Sequence, residues 1–369
     1  MKRIAFVIST QHLKATGGIG TFAKSFTRLC YDKDIFVDII LDKAPIGTTK
    51  DFVNSFLMPF QSDMHYCDEP LPYENQQIKE SHLDGDGVNY AKIINFQSIF
   101  IKRSREVTYD AVVVNTQEAI AAIAVLKTEC PVYVYTHSYK QVFFESTMRD
   151  NCLPIYHSFY ETFMFYDNVI VATQTEGNKQ LLHDRGINNV VVMPLPLADK
   201  SLLETSTEET SGILFIGTAE TRKRYKVFID LIKQTGLPAK VMTSLKGKAS
   251  FEAEFAKHNI TDYDIRVNIT GVEKADFIKS CRLSFIPSKM ESYCYAFIET
   301  VPHMPVVVLD DQQWTHNFEP QYYIKANKKN MSHKVELHYD MCAPRNKSME
   351  YIKEINQTAE DTLIGILNV

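Results

Sequence analysis

The sequence predicts an α/β protein built from two doubly wound, mostly parallel sheets, one in each of two domains. Three observations carry that expectation. Short β-branched runs alternate with segments of helical apolar spacing along most of the chain, as in successive βαβ units. From Asp199 to Ser211 a charged stretch rich in Thr, Ser and Glu interrupts the alternation, and the pattern restarts after it. The 369 residues, 45% of them hydrophobic, suffice for two domains with cores of their own. The expected division is a first domain over 1–198, a linker over 199–211, a second domain over 212–345, and a C-terminal helix over 346–369 packing back on the first.

In order, Ile4–Ile8 reads as a buried parallel strand. Gly17-Gly18-Ile19-Gly20 follows, and Phe22, Phe26 and Leu29 then recur at helical spacing. Strand, glycine loop and helix in that order allow a close backbone approach to a ligand, although a plain tight turn would look the same. Ile35–Leu41 is a second strand, and 43–85, rich in Asp, Pro, Gln and Thr, reads as loops and short elements. A helix over Tyr90–Ser104 ends in Lys102, Arg103 and Arg105, which suit its C-terminal dipole. Ala111–Asn115 is a strand, Glu118–Lys127 a helix, and Pro131–Thr136 a strand ending at His137. A polar residue at a strand end of an open α/β sheet tends to face the ligand crevice, so His137 stands out among the histidines, with a capping role as the alternative. The aromatic Tyr156–Tyr166 segment reads as a core helix, Asn168–Ala172 as a strand, Glu176–Asp184 as a helix, and Asn189–Pro194 as the last strand of this half.

After the linker come strand Ile213–Ile216, a polar turn from Gly217 to Lys223, and helix Val227–Gln234. Strand Ala239–Thr243, helix Phe251–His258, strand Asp264–Val267 and helix Lys274–Ser280 continue the alternation. An apolar strand ending at Phe285–Pro287, a loop, a helix opening at Tyr295, and strand Pro305–Leu309 form a β-loop-α-β unit with Glu291 in its loop and Glu299 about one turn into its helix. Such a unit offers backbone N–H groups and a helix dipole to a phosphate at the sheet's carboxyl edge. Glu291 can reach hydroxyls on what the phosphate carries, and Glu299 a second polyol such as a ribose. Ser348–Ile366 has near-helical apolar spacing.

Composition narrows the partners. A net charge of −5 gives no global electrostatic case for nucleic acid, so a DNA-binding surface would have to be local. The seven cysteines include no Cys-x-x-Cys pair, which suggests neither a disulfide framework nor zinc and fits a reducing cytoplasm. No stretch approaches a membrane span, and the N-terminal apolar run is too short for a signal peptide. Asp84-Gly85-Asp86 and Asp262-Tyr263-Asp264 match an Asp-x-Asp metal pattern, but neither follows a clear strand, and no metal is expected.

The run Glu291-Ser-Tyr-Cys-Tyr-Ala-Phe-Ile-Glu299 resembles the Glu-x7-Glu element of retaining GT-B glycosyltransferases, and the likeness extends to Gly17-Gly18-Ile19-Gly20 and to Gly217 through Lys223. The resemblance implies two Rossmann-like domains facing across a cleft and a nucleotide-diphosphate sugar as donor, UDP-glucose or UDP-arabinose, with no further cofactor. It places Gly18, Ile19, Gly20, Gly217, Arg222, Lys223, Glu291, Tyr293, Cys294, Tyr295 and Glu299 around the donor. Glu291 would orient the sugar, Glu299 the ribose, and Lys223 with Arg222 would bind phosphate; His137, Lys223 and Glu291 form the implied catalytic set. Two departures stand out: Cys294 where the family usually has glycine, and Thr218 where it usually has arginine.

The charge chemistry agrees with that assignment. A departing nucleoside diphosphate develops negative charge, which fixed cations stabilise more in the transition state than in the ground state. Arg222, Lys223, Arg224 and Lys226 at a helix start oppose the dipole and call for an anion; a solvated helix start is the alternative. Tyr133-Val-Tyr-Thr-His137-Ser-Tyr, Gly217-Thr-Ala-Glu-Thr-Arg-Lys223 and Tyr295-Ala-Phe-Ile-Glu299 also resemble stretches of phage DNA α-glucosyltransferases, implying hydroxymethylcytosine in double-stranded DNA as acceptor. Lys102, Arg103 and Lys140 could then grip DNA phosphates, a solvated surface being equally compatible. The expected function is sugar transfer with retention to a 5-hydroxymethylpyrimidine. The alternatives are a glycan, lipid or protein acceptor, or a catalytically silent nucleotide-sugar binder.

Overall fold

The computed structural model describes residues 2–10, 13, 18–47, 51, 62–66, 90–115, 128–136, 166–184, 186–197, 199–204, 210–289, 291, 293–341 and 346–367. The chain divides into two compact units, Met1–Pro196 with Ala359–Val369, and Leu197–Thr358.

The first unit is built on a parallel sheet of seven strands: β1 (Arg3–Ile8), β2 (Phe36–Leu41), β3 (Ser62–Tyr66), β4 (Ala111–Val114), β5 (Val132–Tyr135), β6 (Val169–Thr173) and β7 (Val190–Val192), ordered β3-β2-β1-β4-β5-β6-β7. Its central strands are apolar almost throughout because helices cover both faces of such a sheet. β1 is buried from Ile4 to Ile8 and β4 along its whole length. Helix α1 (Gly18–Asp32) lays Phe22 and Phe26 against Phe6, with Phe6 and Phe26 stacked at 4.9 Å between ring centroids. Tyr135 stacks on Phe22 at 4.5 Å and its hydroxyl donates to the Met193 carbonyl, tying β5 to the end of β7. Helix α2 (Tyr90–Ser104) buries Phe96 and Phe100, and α3 (Glu176–His183) is capped by Thr175, whose hydroxyl accepts from the Asn178 N–H at 3.1 Å.

One strand in the 43–85 stretch has no counterpart in the sequence expectation. Ser62–Tyr66 pairs with Val37–Leu41 in register, although Ser-Asp-Met-His-Tyr contains no β-branched residue. The expected helices over Glu118–Lys127 and most of Tyr156–Tyr166, together with Asp84-Gly85-Asp86, Gly17, His137 and Lys140, lie outside the described residues.

The second unit repeats the plan with six parallel strands: β8 (Ile213–Ile216), β9 (Ala239–Thr243), β10 (Tyr263–Val267), β11 (Leu283–Ile286), β12 (Val306–Leu309) and β13 (Ile324–Ala326), ordered β10-β9-β8-β11-β12-β13. Helices α4 (Tyr225–Thr235), α5 (Leu245–Lys257), α6 (Gly271–Lys279) and α7 (Tyr295–Thr300) follow β8 to β11 in turn, α8 (Met331–Asp340) follows β13, and α9 (Asn346–Leu367), whose residues from Ala359 belong to the first unit, closes the chain. Phe215, Phe228, Phe251 and Phe255 form the centre of its core, with Phe215 at 5.3 Å from both Phe228 and Phe251.

Helix α5 starts six residues before the predicted Phe251, because Ser244 caps it by accepting from the Gly247 N–H at 3.2 Å. β13 and α8 are additional to the expected elements, being too short or too weakly periodic to read from sequence. In both sheets the strand order turns back on itself, between β1 and β4 and again between β8 and β11. Doubly wound sheets open a ligand crevice at the carboxyl ends of the strands flanking such a reversal.

Candidate functional site

At the reversal of the second sheet, the loop after β8 meets the loop after β11. The first begins at Gly217, whose N–H donates to the Met242 carbonyl at 3.0 Å and whose φ is +153°. A Cβ there would lie 3.3 Å from Cδ of Lys223, so the Lys223 side chain folds back over a position that favours glycine. The turn closes through Lys223 N–H to the Glu220 carbonyl and Arg224 N–H to the Thr221 carbonyl, both at 3.1 Å. Arg224 caps α4 in the left-handed region (φ +52°) and grips Asp311 with two guanidinium N–H bonds of 2.7 Å.

The second loop is pinned to the first where the Lys289 N–H donates to the Arg222 carbonyl at 2.9 Å. It is pinned from beneath by Gln312, whose amide donates to the Ile286 carbonyl, and by the buried Trp314, whose indole N–H donates to the Ser288 carbonyl, each at 2.9 Å. The carboxylate of Glu291 thereby arrives between two cations. Lys223 Nζ is 2.5 Å from Oε1, and Arg222 Nη1 is 3.3 Å from Oε2. Burial alone would raise the Glu291 pKa, but the Lys223 and Arg222 charges, with hydrogen bonds from Lys223 and Ser288, outweigh it and hold the carboxyl below the ordinary range.

Cys294 opens α7 with φ +71° and ψ +71°. That left-handed backbone is what glycine adopts without steric cost, a physical reason for a glycine at this position in the proteins the motif resembles. Burial, and secondarily the Glu291 charge, push the Cys294 thiol well up, so it stands as a neutral thiol. Tyr293 and Tyr295 meet edge to face at 5.9 Å, and the buried Tyr295 hydroxyl has no hydrogen-bond partner among the described residues. Helix α7 spans only six residues, so it contributes little dipole of its own. Its Glu299, 4% exposed, forms an ion pair with Lys274 from α6.

The structure thus brings Gly217, Arg222, Lys223, Glu291, Tyr293, Cys294, Tyr295 and Glu299 into two connected segments at one sheet edge. In the first unit, Gly18, Ile19 and Gly20 form the opening turn of α1, after β1. Lys102 and Arg103 stand elsewhere. They lie in the last turn of α2, which precedes β4 and so ends at the amino edge of the sheet, opposite the carboxyl edge where ligands bind. Arg103 is engaged by Asp38 at 3.3 Å and by Glu106 at 2.7 Å. Asp38, fully buried, also takes Arg3 Nε at 3.0 Å and the Tyr109 hydroxyl at 2.8 Å, with His65 at 3.4 Å. An open cavity of about 420 Å³ beside this cluster is lined by His65, Lys102, Arg103 and Glu106 among others.

The four cations at the start of α4 do not wait for an anion as the sequence suggested. Glu291 takes Arg222 and Lys223, Asp311 takes Arg224, and Glu254 lies 3.9 Å from Lys226. Asp264, from the second Asp-x-Asp triplet, is likewise paired, with Arg266 at 2.9 Å. Sequence reasoning missed Lys274, Asp311 and Trp314. Each comes from an element remote in the chain, and no spacing signal announces it. Among the described residues, no helix is long and apolar enough to cross a membrane.

Two doubly wound units with this strand order have the GT-B architecture of glycosyltransferases. Sucrose-phosphate synthase from Thermosynechococcus elongatus is similar to the chain with a TM-score of 0.75 at 12% identity, over 100% of this chain and 98% of that one. HepE from Anabaena, in complex with UDP-glucose, is similar with a TM-score of 0.70 at 12% identity, over 99% and 100%. TarM from S. aureus, in complex with fondaparinux, α-GlcNAc-glycerol and UDP, is similar with a TM-score of 0.72 at 11% identity, over the full length of both chains. At such identities the likeness is one of fold. No protein-family model matches the sequence, and neither does any curated protein.

Proposed function

We propose that this protein is a glycosyltransferase that takes its sugar from a nucleoside diphosphate, UDP-glucose first among the candidates. The observation that carries the reading is the pairing of Glu291 with Lys223 and Arg222 where the second sheet reverses its strand order. It gathers cations suited to a diphosphate beside a carboxylate suited to sugar hydroxyls, at the edge where a doubly wound sheet binds nucleotides. The fold it shares with HepE, whose structure holds UDP-glucose, supports the donor class.

In this reading the diphosphate draws Lys223 and Arg222 away from Glu291, and the freed carboxylate accepts from the sugar. Lys223 and Arg222 then stabilise the charge that develops on the departing diphosphate. Glu299 accepts from the ribose. Gly18, Ile19 and Gly20 offer backbone N–H groups from the opening turn of α1, and His137, two positions after the last residue of β5 in the sequence, is the candidate acceptor-side group. Transfer with retention, and the 5-hydroxymethylated pyrimidine of DNA as acceptor, are inferred from the sequence resemblance around Glu291, Glu299 and Tyr133 to Tyr139.

The test is to incubate the purified protein with UDP-glucose, UDP-arabinose and other UDP-sugars and duplex DNA containing hydroxymethylcytosine, then to weigh the released nucleosides. A nucleoside heavier by one sugar is the expected result. Transfer to a glycan or lipid extract but not to DNA would overturn the acceptor and leave the donor reading standing. Binding of UDP without release from any UDP-sugar, with all acceptors present, would overturn the transferase reading.

A further inference from the structure

Glu299 is a buried carboxylate whose cation comes from neither of the two loops that form the rest of the site. Its side chain is 6% exposed, and the group that meets Oε1 is Lys274 Nζ, from the fourth residue of α6; the Lys274 side chain is itself 20% exposed. Glu291, by contrast, is held by Lys223 and Arg222 from the loop after β8. Each carboxylate has its own cationic partner, and the two sets share no residue.

That separation matters for what each carboxylate can do. Lys223 and Arg222 can leave Glu291 for an arriving diphosphate, because the exchange replaces one anion by another. Lys274 reaches Glu299 from α6, an element that carries neither of the two loops holding Glu291 and its cations. A carboxylate has two oxygens and turns about its last torsion in a broad well, so a fixed ammonium on one oxygen sets the direction of the other. The hydroxyls of a ribose are donors, and an ionised carboxylate accepts only.

We propose that Lys274 is a positioning residue for nucleotide recognition: by holding Oε1 of Glu299 it aims Oε2 at the ribose hydroxyls and so makes the site prefer ribonucleotides over their deoxy counterparts. The inference rests on the reading of Glu299 as the ribose acceptor given above. Lys274 need not touch the nucleotide. Its contribution lies in the geometry of the bond that Glu299 makes, since a hydrogen bond to a charged group is strong only when well aligned.

The experiment measures UDP, 2′-deoxy-UDP and 3′-deoxy-UDP binding by titration calorimetry to the full chain and to Lys274→Met, Lys274→Ala, Lys274→Arg and Glu299→Gln. The unaltered protein is expected to prefer UDP over at least one deoxy analogue by about tenfold. In Lys274→Met the preference falls to within about twofold, while Lys274→Arg, which keeps a donor on Oε1, restores most of it. Lys274→Ala likewise removes the donor on Oε1 and serves if the Met variant does not fold; thermal melts establish which variants are folded.

Full preference in folded Lys274→Met, or in folded Lys274→Ala where the Met variant does not fold, would show the ion pair to be structural only and overturn the inference. If Glu299→Gln abolishes the preference while Lys274→Met retains it, the inference alone fails. A Glu299→Gln variant that still prefers UDP would remove the ribose reading itself, and the inference with it.

Discussion

The ammonium of Lys223 stands 2.5 Å from Oε1 of Glu291, on a carboxylate that also takes Arg222 at 3.3 Å on its other oxygen. A diphosphate that binds these cations must therefore displace a carboxylate already on them. In Glu291→Gln the competition disappears, so affinity for UDP alone is expected to rise about tenfold while sugar transfer falls, by the weight of one charged hydrogen bond. Lys223→Ala is expected to lower both. Calorimetry with UDP, set beside turnover with UDP-glucose, separates the two effects, and a Glu291→Gln variant that binds UDP more weakly would contradict the exchange.

Gly217→Ala places a methyl group 3.3 Å from Lys223 Cδ at a φ of +153°. The backbone strain is expected to cost about 1–3 kcal/mol of stability, read from urea unfolding. Displacement of Lys223 should in addition lower kcat/KM for the donor. Unchanged kinetics in a destabilised but folded variant would show that Lys223 finds its place without the space that Gly217 leaves.

Acid should weaken the fold through Asp38 and Glu291. Burial by itself would raise both pKa values, but the His65, Arg3 and Tyr109 hydrogen bonds at Asp38, and the Lys223 and Arg222 charges at Glu291, hold them below the ordinary range. For a carboxyl whose folded-state pKa is depressed, the stabilisation is complete above its unfolded-state value of about 4 and is lost as pH falls from there through the folded-state value. Urea midpoints should therefore drop as the pH is lowered below about 4. Asp38→Asn is expected to lose about 3 kcal/mol near neutral pH, because Arg3 and Arg103 are left without their buried partner, and to show a shallower acid dependence. An acid profile identical to that of the unaltered protein would shift the effect to other groups.

Cys294→Gly tests the left-handed backbone at φ +71°. Glycine removes a conformational penalty of about 1–2 kcal/mol, offset in part by the lost packing of a buried thiol, so the variant is expected to be as stable as the parent or slightly more so. Cys294→Ala keeps the penalty and loses the sulfur, and should be less stable than either. The three melting temperatures, compared under one condition, check the order.

The parts of this fold that could be read from sequence are those that burial makes simple. Ala111–Val114 and Val306–Leu309 are apolar on both faces because helices cover both faces, and a run of valines announces that. Ser62–Tyr66 does not announce itself. It is a strand because β2 offers it a free edge, and its Asp63 and His65 lie by Arg3 and Asp38, so tertiary context rather than propensity makes the element.

The site divides along the same line. Gly217, Lys223, Glu291 and Glu299 sit at legible intervals beside strands, whereas Lys274 and Asp311 reach their partners only after the sheet has aligned α6 and the segment after β12 with them. The charge run from Arg222 to Lys226 shows the limit most plainly. As a sequence it is four cations at a helix start; folded, its members meet Glu291, Asp311 and Glu254.

Pairwise pairing of charges also bears on how quickly the site can be found. Diffusional steering depends on the net field that a molecule projects into solution, and ionic strength slows association only where such a field exists. Three cations, Arg222, Lys223 and Lys274, face three carboxylates, Glu291, Glu299 and Glu220, the last 3.7 Å from Arg222, so their charges balance. A nucleotide approaching so nearly balanced a site gains little guidance at long range. Its capture rate should then depend only weakly on added salt, with discrimination arising after contact, in the rate of escape.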